Sequence, residues 1–544
     1  MTSSRWSTIG RFALIGVPTV FLAYFYLYPL MSITVRGLTV DGSIDLGVFG
    51  DVVGDPTLQG VATFTLFQAV LSTVFTVIVA LPAAWVFARF DFPGKRLLRA
   101  ATLVPFVLPT LVVGSAFLAL AGPRGASGVD LTGTLWIILL AHVFYNYAVV
   151  VRGVGAYWER IDPSVEESAR VLGAKPITVF RTVTLPLLAP AIASTSALVF
   201  LFSFTSFGVV LLLGDLAHST IEVEIWRQAT AFLRLDVAST LAVLQIVGIG
   251  VILVVYGRFQ RRTAVRFRHR ASDPPRPAGR RQWAAVGTVL TSMALILGVP
   301  IATLIWKSLL QPTGGVGLAN YRALASLPEQ SAAFIDPIEA IGNSLRFAAM
   351  ATLIAIVIGG LASAALAYTS RRVSTTFDVF VMLPLGTSAV TIGFGFLIAL
   401  DWPVDLRTSL MLIPIAHALV AVPFVVRSVA PSLGSVQQTL RDAAATLGAD
   451  GWKTWWTVDF RLVGRTVLVG AAFAFAISMG EFGATSFIAR PSAPTIPIAI
   501  FRLLGRPGGL PFGAALALSV VLMVITAAAI LVIDAVRTDQ RGEL

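Results

Sequence analysis

The sequence has no cysteine among its 544 residues, so disulfides, thiolate metal sites and thiol nucleophiles are all excluded. Charge is nearly as scarce. Asp, Glu, Lys and Arg make up 12% of the chain against 56% for hydrophobic residues, and histidine occurs four times. A phosphate-binding loop is also missing. Such a loop needs spaced glycines followed by Lys and a hydroxyl residue, so that backbone N–H groups cradle a phosphate; Gly94-Lys95 lacks both the upstream glycine and the hydroxyl that follows. The chain is therefore expected not to be an enzyme, with no catalytic residue, no metal and no cofactor.

What remains is apolar sequence in long uninterrupted runs, with a mean hydropathy of +0.84, far above that of a soluble domain. A helix crossing the hydrocarbon layer needs about 20 such residues. Twelve runs qualify: 12–35, 61–88, 100–121, 134–151, 189–213, 237–256, 284–305, 341–369, 379–400, 410–426, 466–488 and 512–534. The expected fold class is an all-α polytopic membrane protein of twelve transmembrane helices embedded in a lipid bilayer. The first run follows Arg5 and Arg11, but it is too long for a signal peptide and lacks a small-residue cleavage site, which makes it an uncleaved anchor. The net charge of +12 does not indicate a nucleic-acid partner, because the arginines sit at the ends of apolar runs without interleaved aromatics.

Basic residues collect in alternate connections: Arg89, Lys95, Arg96 and Arg99 in one; Arg152, Arg160, Arg170, Lys175 and Arg181 in the next of the same parity; then Arg371, Arg372, Arg427 and Arg537. The excess of Lys and Arg on the cytoplasmic side puts both termini in the cytoplasm. The opposite connections carry Asp41, Asp45, Asp51, Asp55, Asp215, Glu222, Glu224 and Glu339, which are expected outside. Residues 257–283 hold nine arginines and three prolines with almost no apolar content, and read as a solvated cytoplasmic linker. A topogenic role suits this segment better than binding of anionic lipid headgroups. It divides the chain into a first repeat, 1–256, and a second, 284–544.

The two halves are copies. At an offset of 279, Thr65-Leu66 matches Ser344-Leu345, Pro105 matches Pro384 and Gly114 matches Gly393. After a four-residue change of length the offset is 275, and Ala141-His142 matches Ala416-His417, Leu172-Gly-Ala174 matches Leu447-Gly-Ala449, and Phe207-Gly208 matches Phe482-Gly483. Six spans per repeat give both the same topology, so they are parallel copies about an axis along the membrane normal.

One polar segment recurs at equivalent places. Glu167-Ser-Ala169-Arg-Val-Leu-Gly173, followed by Val183-Thr-Leu185-Pro186, returns as Asp442-Ala443-Ala444-Ala-Thr-Leu-Gly448 and Val458-Asp-Phe460-Arg461. Asp162-Pro163 supplies a helix cap and a first-turn proline, early carboxylates suit the positive helix end, and Gly173 is a stop. Two short helices broken by that glycine make a compact knob. The pattern resembles the EAA loop of ABC-importer permeases. The first copy departs from it at Ser168; the second has Asp442 for Glu and Phe460-Arg461 for Leu-Pro. With Ser206-Phe-Gly-Val-Val-Leu-Leu-Leu-Gly-Asp215 and Gly480-Glu-Phe-Gly-Ala484, the chain is similar to the fused permeases of thiamine and iron(III) importers.

That resemblance implies a two-repeat permease in the bacterial cytoplasmic membrane. A solute-binding protein would deliver thiamine or iron(III) from outside, thiamine being preferred because the first-half phrase is the closer likeness. A homodimer of ATP-binding ABC subunits would dock at the cytoplasmic face on Glu167, Ala169, Gly173, Leu185 and Pro186 in one copy, and on Asp442, Ala443, Ala444 and Gly448 in the other. Energy then comes from those separate subunits.

Polar residues inside spans are the candidates for a pathway, since charge in lipid is costly and turns inward. Glu481 is the one carboxylate well inside an expected span, and Ser206 is its repeat partner; Ser478 lies on the same face. Glu481 reads either as part of a translocation surface or as a structural carboxylate between helices. His142 and His417, mid-span at equivalent positions, suit hydrogen bonding between helices better than contact with a solute. A secondary transporter driven by an ion gradient also has twelve spans in two halves, but it needs no paired cytoplasmic knobs and places more ionisable groups mid-membrane.

Overall fold

The computed structural model describes residues 14–40, 43–44, 47–263, 276–277, 279–311, 314–326 and 336–539. Of the linker expected at 257–283, residues 264–275 and 278 fall outside them. Among the described residues ten helices are long and apolar enough to cross a membrane: Leu14–Leu38, Pro56–Arg89, Leu135–Trp158, Pro176–Phe204, Leu235–Val254, Arg280–Leu309, Pro337–Tyr368, Leu412–Ser435, Gly451–Gly480 and Gly509–Ala529. Two further spans are broken. Lys95–Val107 meets Thr110–Ala121 at 97°, and Arg371–Gly386 meets Ala389–Ala399 at 94°.

The runs 100–121 and 379–400 were each expected as one span, and the breaks have local causes. In the first, Pro109 has no N–H to give and forces Leu108 out of the helical region, to φ −62°, ψ 136°. In the second, Ser388 starts a new helix by accepting the Val390 N–H at 3.0 Å. The runs 189–213 and 466–488 also stop early. Their helices end at Phe204 and Gly480, and short pieces, Gly208–Leu213 and Thr485–Ile488, follow after a bend. Neighbouring side chains leave no room for a larger residue at either bend: a Cβ on Gly208 would lie 2.5 Å from Thr110 Oγ1, and one on Gly480 3.0 Å from the Pro109 ring.

Small residues at helical spacing line the inner faces of the longest helices. Thr65, Ala69, Ser72, Thr76, Ala80 and Ala83 are fully buried along Pro56–Arg89, as are Ala348, Ala351, Ala355 and Ala362 along Pro337–Tyr368. Between lipid-embedded helices, association relies on such close approach. Two short helices missing from the expected set, Ile221–Thr230 and Ile496–Leu504, are held alike: Thr65 Oγ1 accepts the Ile221 N–H at 3.0 Å and Ser344 Oγ accepts the Ile496 N–H at 2.8 Å. These four residues are repeat equivalents, so a single clamp was copied with the repeat.

The repeats are interlocked. The helix Tyr28–Leu38 of the first packs on Ala389–Ala399 of the second, and Val299–Leu309 of the second packs on Thr110–Ala121 of the first. Tyr26 reaches across to Thr387 Oγ1 at 2.5 Å and the Leu383 carbonyl at 3.2 Å. Each repeat's first span therefore covers the broken span of the other.

Candidate functional site

The recurring polar segments fold as two surface knobs. In the first, Asp162 caps the helix Pro163–Val171 by accepting the Ser164 N–H at 2.9 Å; the chain turns at Gly173 and continues as Pro176–Val179. In the second, Gln438–Thr446 turns at Gly448 into Gly451–Thr454. Gly173 and Gly448 have φ of +85° and +81°, and an added Cβ at either meets nothing within 4 Å. Backbone handedness, rather than lack of room, calls for glycine there. Beside each turn sits an apolar tip, with Leu172 and Leu447 both 88% exposed. Glu167, Asp442, Ala443, Leu185 and Pro186 are also exposed, while Ala169 and Ala444 are half-buried.

Sequence reasoning selected Glu167, but its neighbour Glu166 fastens the knob. Its carboxylate receives the Arg89 guanidinium at 2.6 Å and the Thr184 hydroxyl at 3.0 Å, with both charged side chains 13% exposed. The second copy has the opposite polarity. At the equivalent position Arg441 donates to Asp459 at 2.7 and 2.9 Å and to the Tyr368 hydroxyl at 3.4 Å. Asp459 replaces Thr184 and Tyr368 replaces Arg89. The signal in the sequence was the change from Glu166 to Arg441 beside the more familiar Glu167-to-Asp442 difference.

Between the repeats lies a cavity of about 400 Å³. Rings of Phe106, Tyr145, Phe202, Phe424 and Phe473 form much of its wall, and His142, Ser206 and Glu481 contribute polar groups. Ser478 and His417 are not on this wall. Both histidines tie segments together: His142 contacts Ser72 Oγ at 2.9 Å and Ser206 Oγ at 2.8 Å, and His417 contacts Ser478 Oγ at 2.7 Å and Thr485 Oγ1 at 2.8 Å. Glu481, expected well inside a span, sits instead at the bend after Gly480. Its oxygens accept the N–H groups of Ala484 at 2.8 Å and Thr485 at 3.0 Å, and the Thr485 hydroxyl at 2.7 Å. The carboxylate closes the backbone groups that the break would otherwise leave open.

Glu222 and Glu224, expected in an outside connection, are 0% and 4% exposed. Glu222 accepts from Gln245 and, at 2.7 Å, from Ser388 in the broken span of the other repeat. Glu224 pairs with Arg227 at 2.8 Å and accepts from Gln228 at 2.7 Å. Burial comes from the short helix Ile221–Thr230, whose repeat partner Ile496–Leu504 has Arg502 as its one charged residue. That apolar partner was the overlooked clue. The Glu222 cluster is one-sided, since Pro497, Val520 and Pro109 occupy the equivalents of Glu222, Gln245 and Ser388. Among the described residues no group of three or more His, Cys, Asp or Glu converges.

The family described as "Binding-protein-dependent transport system inner membrane component" matches residues 77–268 and again 355–541, together well over half of the sequence. The chain belongs to this family. The permease is similar to the thiamine transport system permease protein ThiP of Salmonella typhimurium (strain LT2), at 27% identity over 483 residues, 84% of this chain and 86% of that protein. ThiP of Brucella suis biovar 1 is 27% identical over 505 residues, 88% of each chain. The sulfate transport system permease protein CysT of Salmonella typhimurium (strain LT2) is 32% identical over 226 residues, 40% of this chain and 80% of CysT. A solved bacterial ABC transporter involved in alginate import aligns with 48% of this chain and 99% of its own, at 18% identity and a TM-score of 0.41. Two family matches in one chain make this a fused, two-repeat ABC-importer permease, a multi-pass membrane component that works with a solute-binding protein.

Proposed function

We propose that this permease carries thiamine, delivered by an external binding protein and released on the side of the two knobs. A homodimer of separate ATP-binding subunits drives it from the cytoplasm, one subunit seated at Leu172 and the other at Leu447. One observation carries the substrate: relatives named for thiamine transport align through both repeats, over 84% and 88% of this chain, whereas the sulfate permease aligns over 40%. The cavity supports the same reading. Its aromatic wall suits a flat organic cation, which is attracted to ring faces. The exposed apolar tips suit clefts on a protein partner, because isolated leucines held at a turn gain from burial there.

Reconstitution with the ATPase and the binding protein tests this. Labelled thiamine is expected to accumulate only with ATP and the binding protein present, and Leu172→Glu with Leu447→Glu is expected to abolish uptake while the chain still inserts. Uptake of iron(III) in place of thiamine would select the other substrate. Transport driven by an ion gradient without ATP would reject the ATP-driven mechanism.

A further inference from the structure

Four aromatic rings meet at the end of the cavity farthest from the knobs. Phe207 and Phe482 stack with centroids 5.4 Å apart and planes 18° from parallel. Trp226 and Phe501 meet edge to face at 5.9 Å. The contacts Phe207–Trp226 at 6.3 Å and Phe482–Phe501 at 5.5 Å complete the set. Phe207 and Phe482 are repeat equivalents, 275 residues apart, and so are Trp226 and Phe501. A residue touches its own symmetry mate only at the symmetry axis, so both pairs lie where the two repeats meet at the centre of the molecule.

The ring set borders two spaces, one through Phe207 and Phe482 and the other through Phe501. On one side is the 400 Å³ cavity, with Phe207 and Phe482 on its wall. On the other is a basin of about 740 Å³ lined by Leu211, Leu212, Phe501, Arg124, Arg502 and Arg506. Chain direction fixes their order. The helices Leu185–Phe204 and Phe460–Gly480 both lead away from the knobs and end just before Phe207 and Phe482.

We propose that Phe207, Phe482, Trp226 and Phe501 form a septum that seals the pathway, and that solute crosses only when the members of each pair separate. The chemistry suits a seal that must reopen. Packed rings exclude water and ions, yet no hydrogen bond joins them, so parting strands no polar group. The indole N–H of Trp226 is buried without a protein partner, so parting the rings breaks no hydrogen bond there either. Phe207 and Phe482 also sit in the bends between helix pieces, element-terminal positions of the kind that absorb hinge motion.

The natural absence of cysteine allows a direct test on the full chain assembled with its ATPase in sealed vesicles. Thr205→Cys places a thiol on the cavity wall, and a membrane-impermeant methanethiosulfonate is added from either face without nucleotide. Labelling is expected from the knob face alone. Adding Phe207→Ala and Phe482→Ala is expected to raise labelling from the opposite face at least tenfold. Two-sided labelling with all four rings intact overturns the proposal, and so does one-sided labelling of the alanine chain. If that chain fails to assemble, Phe207→Cys with Phe482→Cys serves instead: a short bis-methanethiosulfonate should reduce binding-protein-stimulated ATP hydrolysis to its basal rate, and dithiothreitol should restore it. Stimulation that survives the cross-link overturns the septum. The labelling outcome does not depend on which solute is carried, so it stands or falls apart from the thiamine reading.

Discussion

Glu166→Gln removes the charge that Arg89 faces while keeping the shape of the side chain. Both partners are 13% exposed and 2.6 Å apart, and removing one member of so buried a pair costs about 3–5 kcal/mol because the survivor stays desolvated. Arg89 keeps the Ile161 carbonyl at 3.2 Å, which places the expected loss near the lower bound, about 3 kcal/mol. At roughly 1.4 kcal/mol per factor of ten, amides of the helix Pro163–Val171 should lose about two orders of magnitude of hydrogen-exchange protection, or all they have if it is less. The measurement is made on the full chain in nanodiscs, where the spanning helices should keep their protection. A graft completes the argument: Glu166→Arg with Thr184→Asp and Arg89→Tyr installs the Arg441, Asp459 and Tyr368 arrangement in the first knob, and protection should return. Unchanged exchange in Glu166→Gln would refute the claim that this pair holds the knob to the bundle.

Other outcomes follow from single contacts. At Gly173 and Gly448 the left-handed backbone costs an ordinary side chain about 1–2 kcal/mol, and Asn less, so ATP-driven uptake should fall in the order Asn, Ala, Val; equal losses would point to a collision with a partner instead. Thr65→Val leaves the Ile221 N–H buried without an acceptor, and Ser344→Ala does the same to Ile496; each should cost about 1–3 kcal/mol, read as a lower melting temperature in detergent, and an unchanged temperature would discount the clamp. Glu481→Gln turns an amide donor toward the Ala484 or Thr485 N–H, with a similar expected cost of about 1–3 kcal/mol. Slower uptake with no loss of stability in that variant would instead assign the carboxylate to the solute.

Hydropathy made the long helices legible because a spanning helix must be apolar throughout: the runs 61–88 and 341–369 became Pro56–Arg89 and Pro337–Tyr368. It counts apolar residues and is blind to direction, which is why the bends at Leu108-Pro109 and Thr387-Ser388 were missed. Pro109 was visible in the sequence, but prolines also sit inside intact helices here, at Pro82 and Pro423. Glu222 escaped because a carboxylate beside a turn reads as solvated, and only its contact with Ser388, 166 residues away, shows otherwise. The repeat was the better guide. It matched Thr65 with Ser344 and Phe207 with Phe482, positions whose importance lies in contacts that a single copy does not display.

The one-sided cluster at Glu222 bears on how such a chain can change over time. Two copies of the first repeat joined together would set each Glu222 against Pro109, stripping a buried carboxylate of its serine donor. Two copies of the second would set Ser388 against Pro497, with no acid to receive it. Neither half is any longer a spare for the other. With Glu222 and Ser388 interdependent across the two repeats, an assembly of two identical halves of either kind would lose that contact.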